Sequence, residues 1–98
     1  MREHLQTVFT DRSGTITAGG VAQTLAAANP QRSYLRIQNL STALLHVNFG
    51  STASSGTGSF RIVPSGELAL ADMWGFCSTE SVSIFGATTG QKFSAKEA

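Results

Sequence analysis

Apolar and polar residues alternate with a period of two through most of this chain, in short runs separated by Gly, Pro, Asn and Ser. Side chains of a β-strand point alternately to its two faces, so this period predicts strands with one buried face and one exposed face. Several such runs with turn residues between them are typical of an all-β sandwich or barrel. The predicted strands cover residues 5–10, 14–18, 21–26, 34–39, 44–49, 60–63, 68–70, 82–85 and 91–94.

The two central runs show the clearest alternation, and they flank a short polar break. They are predicted to pair as an antiparallel hairpin, because residues of the same face must lie opposite each other. In that register Ile37 faces Leu45 on the apolar side. The next inward pair is Leu35 and Val47. A shift by one residue would bury Arg36, so the pattern fixes the register.

The chain has 98 residues, which suits a single β domain spanning 1–98. We predict an N-terminal arm over 1–12 and a polar C-terminal tail over 93–98 that extends onto a neighbour. The fold class is an all-β, small antiparallel β-sandwich with extended termini, and periodicity leaves open whether its topology is that of a jelly roll. Charged residues make up only 13% of the chain, about half of the usual share. Such a surface must be rich in hydroxyl groups or covered by partners, and oligomerisation would stabilise so small a core.

Charge and hydropathy argue against two classes of partner. The formal net charge is +1, whereas a nucleic-acid site needs clustered Lys and Arg, so no nucleic acid is expected. No apolar stretch approaches the roughly 20 residues of a membrane span, so no membrane partner is expected. The single cysteine, Cys77, cannot form an intrachain disulfide, which fits assembly in a reducing cytoplasm.

No set of residues predicts a reaction centre. A nucleophilic triad needs a Ser or Cys with a positioned His and a carboxylate, but His4 lies in the N-terminal arm and His46 within a strand. The glycine-rich residues 50–58 lack the GK[ST] pattern of a phosphate-binding loop and favour a flexible connector. Two separate histidines and one cysteine do not supply a closed set of metal ligands. We therefore expect no enzymatic activity, no catalytic residue, no cofactor and no metal.

Five residues are candidates for a protein interface. Trp, Tyr and Arg concentrate binding energy at interfaces, and Arg32, Tyr34 and Arg36 lie close together in the sequence. For these three residues a solvated sheet face is the alternative. Trp74 lies in the densest aromatic cluster of the chain, where filling a core is the alternative role. His46 is predicted on the polar face of the hairpin, opposite Arg36, where a catalytic base is the alternative role.

The segment TLAAANPQRSYLRIQNLSTALLHVNFG, followed by a glycine-rich loop and the turn PSGE, resembles small structural proteins of tailed-phage virions. Members of that group carry an Asn-Pro-x-Arg element, a strand ending in Ile-Gln-Asn, a Ser-containing turn and a strand ending near Phe-Gly. The resemblance covers residues 20–70. The matching positions are Asn29, Pro30, Arg32, Ile37, Gln38, Asn39, Ser41, Val47, Phe49, Gly50 and 64–66.

This resemblance implies a capsid decoration (cement) protein on the exterior of a virion, assembled in the host cytoplasm. We expect a homo-oligomer, a dimer or trimer, that binds the major capsid protein and stabilises the shell by mass action. The group's motif brings no catalytic residues with it. The alternative is a host-surface glycan recognition module of a head fibre or tail accessory protein, in which Tyr34, Trp74 and the loop 50–58 contact a sugar.

Overall fold

The computed structural model describes residues 8–71 and 75–98, which form nine β-strands and no helix. Each strand overlaps one of the nine predicted runs, although the first predicted run overlaps only at Thr10, and its residues 5–7 lie outside the described residues. The strands are β1 (Thr10–Asp11), β2 (Gly14–Thr15), β3 (Gln23–Ala26), β4 (Tyr34–Asn39), β5 (Leu45–Phe49), β6 (Phe60–Ile62), β7 (Glu67–Ala71), β8 (Val82–Gly86) and β9 (Lys92–Glu97).

The strands form two antiparallel sheets that pack face to face, as the all-β prediction requires. Sheet one has the order β1-β9-β4-β7, and β2 also pairs with β9; sheet two has the order β3-β8-β5-β6. Because β1 and β2 lie one after the other along the same side of β9, each sheet is four strands wide. The chain changes sheet at every connection from β2 to β9 except the one between β5 and β6. This is a jelly-roll arrangement of the β-sandwich.

The two central strands do not form the predicted hairpin, although the prediction of which residues face inward and which face outward is correct. β4 pairs with β7 and β9 in sheet one, whereas β5 pairs with β6 and β8 in sheet two. Ile37 therefore lies opposite Leu68 and Ala95 within its sheet, and not opposite Leu45. A hairpin and an arch between two sheets bury the same alternate residues, so the period of two could not distinguish them.

The side chain of Asn39 holds this arch in place. It is fully buried, and its amide nitrogen donates hydrogen bonds to the carbonyl oxygens of Ala43 (2.8 Å) and Ile62 (2.9 Å). Its amide oxygen accepts from the backbone N–H and the hydroxyl of Ser41. Asn39 ends β4 in sheet one while Ile62 ends β6 in sheet two, so one side chain links the two sheets at the corner.

The core lies between the two sheets and is built from the inward face of each. The four apolar residues predicted to be buried in the central runs are all fully enclosed, and each such aliphatic side chain contributes about 1.5–3 kcal/mol when it leaves water. The main core residues are Ile16, Leu25, Leu35, Ile37, Leu45, Val47, Ile62, Val82, Ile84, Phe93 and Ala95.

The predicted C-terminal tail is also wrong, because residues 93–97 belong to β9. This strand lies inside sheet one, where it pairs with β4 on one side and with β1 and β2 on the other. The alternation continues along it, but its third inward residue is the charged Glu97, which made the segment look like a solvated tail. In the predicted arm, Thr10 and Asp11 pair with β9.

Candidate functional site

Two of the predicted interface residues, Tyr34 and Arg36, share the outer face of sheet one. The strand register places Lys96 of β9 directly opposite Arg36 on that face. The ring of Phe9 packs edge-on against Tyr34, with 5.4 Å between ring centroids and 72° between ring planes. These four side chains border a groove of about 370 Å³, which we call the outer groove. Sequence reasoning missed Phe9 and Lys96 because both lie in segments interpreted as terminal arms.

An exposed ion pair fixes the guanidinium of Arg36 beside the outer groove. Its Nη2 and Nε donate to the Oε1 of Glu67 at 2.6 and 3.1 Å. Glu67 raises the pKa of Arg36, with a smaller effect of a hydrogen bond to Tyr34, and Arg36 in turn lowers the pKa of Glu67. Both side chains are nearly half exposed, so water screens the pair and its main effect is to orient Arg36.

His46 lies on the outer face of sheet two, on the other side of the molecule from Arg36. Its strand neighbours are Arg61 on β6 and Phe85 on β8. The imidazole packs edge-on against the ring of Phe85, with 5.9 Å between centroids. Partial burial lowers the pKa of His46, and the charge of Arg61 lowers it further. The predicted pairing of His46 with Arg36 is therefore wrong, and the neutral imidazole is favoured at this position.

Arg32 is not a surface residue. Its side chain is buried, and its Nε donates to the Oε2 of Glu97 at 2.6 Å. Nη1 donates to the carbonyl oxygens of Ser78 (2.9 Å) and Glu80 (2.8 Å), and Nη2 to that of Ala27 (2.7 Å). An interface anchor needs an accessible side chain, so the structure assigns Arg32 an internal role. The sequence could not show this, because its partner Glu97 looked like part of a solvated tail.

Glu97 accepts a second charge-assisted hydrogen bond, from the Nε of Arg12 at 2.7 Å. Burial alone would raise the pKa of Glu97, but the hydrogen bonds from Arg32 and Arg12 outweigh it and hold the pKa below its usual value. The carboxylate is therefore ionised at neutral pH. Together these residues join β9 to the loops 27–33 and 78–80 at one end of the sandwich.

The remaining candidates form no common site. Trp74 lies outside the described residues, because 72–74 are not described. The loop 50–58 contributes Gly50, Ser51 and Thr52 to a separate, hydroxyl-lined groove of about 270 Å³, and not to the groove beside Tyr34. Within residues 8–71 and 75–98, no group of three or more metal-ligating side chains comes together, and no helix suited to crossing a membrane is found.

Large apolar side chains are exposed only at the two ends of the sandwich, as far as the described residues show. The arch end, formed by the loops 16–22, 40–44, 63–66 and 87–91, exposes Val21, Leu40, Leu44 and Val63. The arginine end, formed by residues 8–9 and the loops 27–33, 50–59 and 75–81, exposes Val8, Phe9, Phe76 and, at the edge of β6, Phe60. The outer faces between the ends are polar or carry half-buried side chains.

Comparisons with known proteins bear on the fold. No known protein family matches the sequence, and no curated protein matches it. The structure is similar to a solved chain described under the heading "Bacillus endospore appendages form a novel family of disulfide-linked pili", with a TM-score of 0.50 and 16% sequence identity. The similarity covers 99% of this chain and 91% of that chain. At this identity it shows a shared β-sandwich fold.

Proposed function

We propose that this chain is a structural subunit, without enzymatic activity, that joins other subunits through the two ends of its sandwich. The observation that carries the proposal is the placement of the exposed large hydrophobic side chains. Among the described residues, eight are exposed by 39–76%, and the arch end and the arginine end carry four each. Removing apolar surface from water drives protein association, and clustered exposed apolar residues mark contact sites.

The sheet edges favour end contacts over edge contacts. Exposed strand edges pair readily with other chains unless they are short, interrupted or bulged. Here β1 and β2 are two residues long each, β6 has three residues, and β3 carries a register shift between Thr24 and Ala26. The longer edge strand β7 is bridged at Ala71 by Phe76. Growth by edge pairing is therefore disfavoured at most positions.

The two ends differ, and we propose that the arch end of one copy meets the arginine end of the next, which is a heterologous, head-to-tail contact. Such contacts close into a ring if the rotation allows it and otherwise grow into a filament. The pili of the similar structure are described as disulfide-linked, but these 98 residues hold one cysteine, and one disulfide per chain joins only two copies. Cys77 is moreover buried, at 9% exposure. These residues therefore cannot form a continuous series of disulfides from copy to copy.

The finer proposal is that the assembly is a tailed-phage capsid, which the chain decorates on the outside. The sequence resemblance over residues 20–70 supports it, as does the low charge of the chain. Binding only to the assembled shell stabilises that shell, and repeated attachment raises the effective concentration of each further contact. A filament is the second candidate, favoured by the similar pilus fold.

Two measurements test these proposals separately. Sedimentation velocity over a wide concentration range, with electron microscopy of the same samples, is expected to show oligomers that grow with concentration. A monomer at every concentration would refute end-to-end assembly. Phage shells heated with and without the protein are expected to break at a higher temperature in its presence. Equal disruption temperatures would refute the capsid proposal but not the self-assembly.

A further inference from the structure

The outer groove combines aromatic and cationic side chains on a rigid support. Its floor is the seam between β4 and β9, and both strands are paired on their other sides as well. Its volume of about 370 Å³ lies within the range of small-molecule sites. Phe9 and Tyr34 supply ring surface at one end of the groove, and Arg36 and Lys96 supply two positive charges beside it.

The two cations occupy directly opposite positions on adjacent strands, where like charges repel. Each has an acidic residue on its outer side: Glu67 binds Arg36, and Asp11 of β1 lies opposite Lys96. None of the described residues that line the groove itself is acidic. An anionic group between Arg36 and Lys96 would therefore meet both cations on the side away from Glu67 and Asp11.

The neutral polar residues of the groove also supply donors. Gln38 brings an amide group, whose nitrogen also donates to the Oε1 of Glu67 at 3.4 Å, and Ser94 brings a hydroxyl group. The register places these two residues opposite each other, next to the cation pair. Charge-assisted hydrogen bonds from such an array favour a carboxylate ligand. The hydroxyl and amide groups suit the hydroxyl groups of a sugar ring.

We propose that the outer groove binds an acidic glycan through a carboxylated sugar residue. Its carboxylate lies between Arg36 and Lys96, and the apolar face of the sugar ring packs on Phe9 and Tyr34. An extended peptide fits less well, because peptides bind sheets by adding a strand to an open edge, and both strands under the groove are paired on two sides. Phe9 belongs to both this site and the arginine end, whereas Tyr34, Arg36 and Lys96 lie outside the end-to-end contacts. The site differs from the sugar site predicted from the sequence, which combined Tyr34 with Trp74 and the loop 50–58.

Titration of the isotope-labelled chain, followed by the NMR shifts of backbone amides, tests the proposal. The probes are N-acetylneuraminic acid, glucuronic acid, glucose and acetate, with a poly-glutamate peptide as the protein-like anion. Both acidic sugars are expected to give saturable shifts at residues 34–38 and 94–96 that weaken with added salt. Glucose and acetate are each expected to bind at least about tenfold more weakly, because glucose lacks the carboxylate and acetate lacks the sugar ring.

Matched variants locate the site. Arg36→Gln and Lys96→Gln are each expected to weaken acidic sugar binding about tenfold, and Phe9→Ala to weaken it while leaving acetate unaffected. Arg61→Gln, which removes an exposed cation from sheet two, is expected to change nothing. Absence of saturable shifts with both acidic sugars would overturn the proposal, as would equal binding of glucose. Tighter binding of poly-glutamate than of the acidic sugars would also overturn it, in favour of a protein ligand.

Discussion

The Nε of Arg32 lies 2.6 Å from the Oε2 of Glu97, and each residue is only 2% exposed. Arg32 precedes β4 and Glu97 ends β9, so the pair joins segments that lie 65 residues apart in the chain. The three donor nitrogens of Arg32 all have partners, and the carboxylate accepts on both oxygens. A buried ion pair is tolerated under these conditions, because its hydrogen bonds offset the loss of water.

Removing one member of this pair is expected to be costly. Glu97→Gln leaves the buried charge of Arg32 without its counter-charge, and such a loss destabilises a protein by about 3–5 kcal/mol. Urea denaturation of the variant measures the change in the free energy of unfolding. The control is Glu67→Gln, which breaks an ion pair of the same length, 2.6 Å, on the surface. The control is expected to change stability little, and equal losses in both variants would contradict the assignment.

The same pair makes stability depend on pH. The pKa of Glu97 is lower in the folded chain than in the unfolded chain, so the unfolded state takes up its proton first as the pH falls. The stability that Glu97 contributes is complete above its unfolded pKa, about 4.3, and is lost as the pH falls through the folded value. Urea midpoints measured from neutral to acidic pH are expected to fall less steeply in Glu97→Gln. Identical acid slopes would show that other carboxylates cause the loss.

His46 provides a test of the outer face of sheet two. Burial and the charge of Arg61 both lower its pKa. Titration of the imidazole by NMR is expected to give a value below its usual 6.5 or so. In Arg61→Gln the value is expected to rise only in part, because the larger cause, burial, remains. No change in this variant would mean that Arg61 does not act on His46 as its strand position implies.

Asn39 is expected to be essential to the arch between β4 and β5. Asn39→Asp keeps the shape of the side chain but replaces its donor nitrogen, so the carbonyl oxygen of Ile62 loses this hydrogen bond and that of Ala43 keeps only the one from the Ser41 hydroxyl. A buried group left unsatisfied costs about 1–3 kcal/mol, and an acceptor oxygen now faces two carbonyl oxygens, so urea denaturation is expected to show a loss of at least about 2 kcal/mol. Gln38→Ala, at the exposed position before it, is expected to stay within about 0.5 kcal/mol. A comparable loss in Gln38→Ala would contradict this role.

Gly19 lies too close to its neighbours for any side chain. An added Cβ would lie 2.5 Å from the carbonyl oxygen of Ala87 and 2.7 Å from the nitrogen of Thr89, which are both backbone atoms. Gly19→Ala is therefore expected to lower stability by about 1–3 kcal/mol in thermal or urea unfolding. At Gly56 the nearest atom would be 3.7 Å away, so Gly56→Ala is the matched control, with an expected effect near zero. Equal stability of the two variants would mean that the loops at residues 19 and 87–89 are not packed together.

The sequence predicted the strands and their faces but not their partners. Alternation decides which side of a strand is apolar, and it identified Leu35, Ile37, Leu45 and Val47 correctly. Pairing depends on contacts between distant segments, such as the hydrogen bonds of Asn39 to Ile62, and these leave no periodic signal. The same limit explains why Glu97 was predicted to lie in an exposed tail. Its buried carboxylate is stable only because Arg12 and Arg32 form ion pairs with it. Residue type was enough to identify Tyr34 and Arg36 as candidate surface residues. Phe9 and Lys96 could be added only from the structure, which places them beside the other two.

End-to-end association is tested most directly by mixing two variants, each with one end made polar. Leu40→Ser with Val63→Ser alters the arch end, and Val8→Ser with Phe76→Ser alters the arginine end. Thr24→Ala, an exposed change on sheet two, serves as the control and is expected to assemble like the unaltered chain. Sedimentation velocity of each double variant alone is expected to show monomers, and a mixture of the two is expected to show one-to-one dimers, joined through the intact end of each. A mixture that stays monomeric, or a double variant that assembles alone like the unaltered chain, would contradict the account.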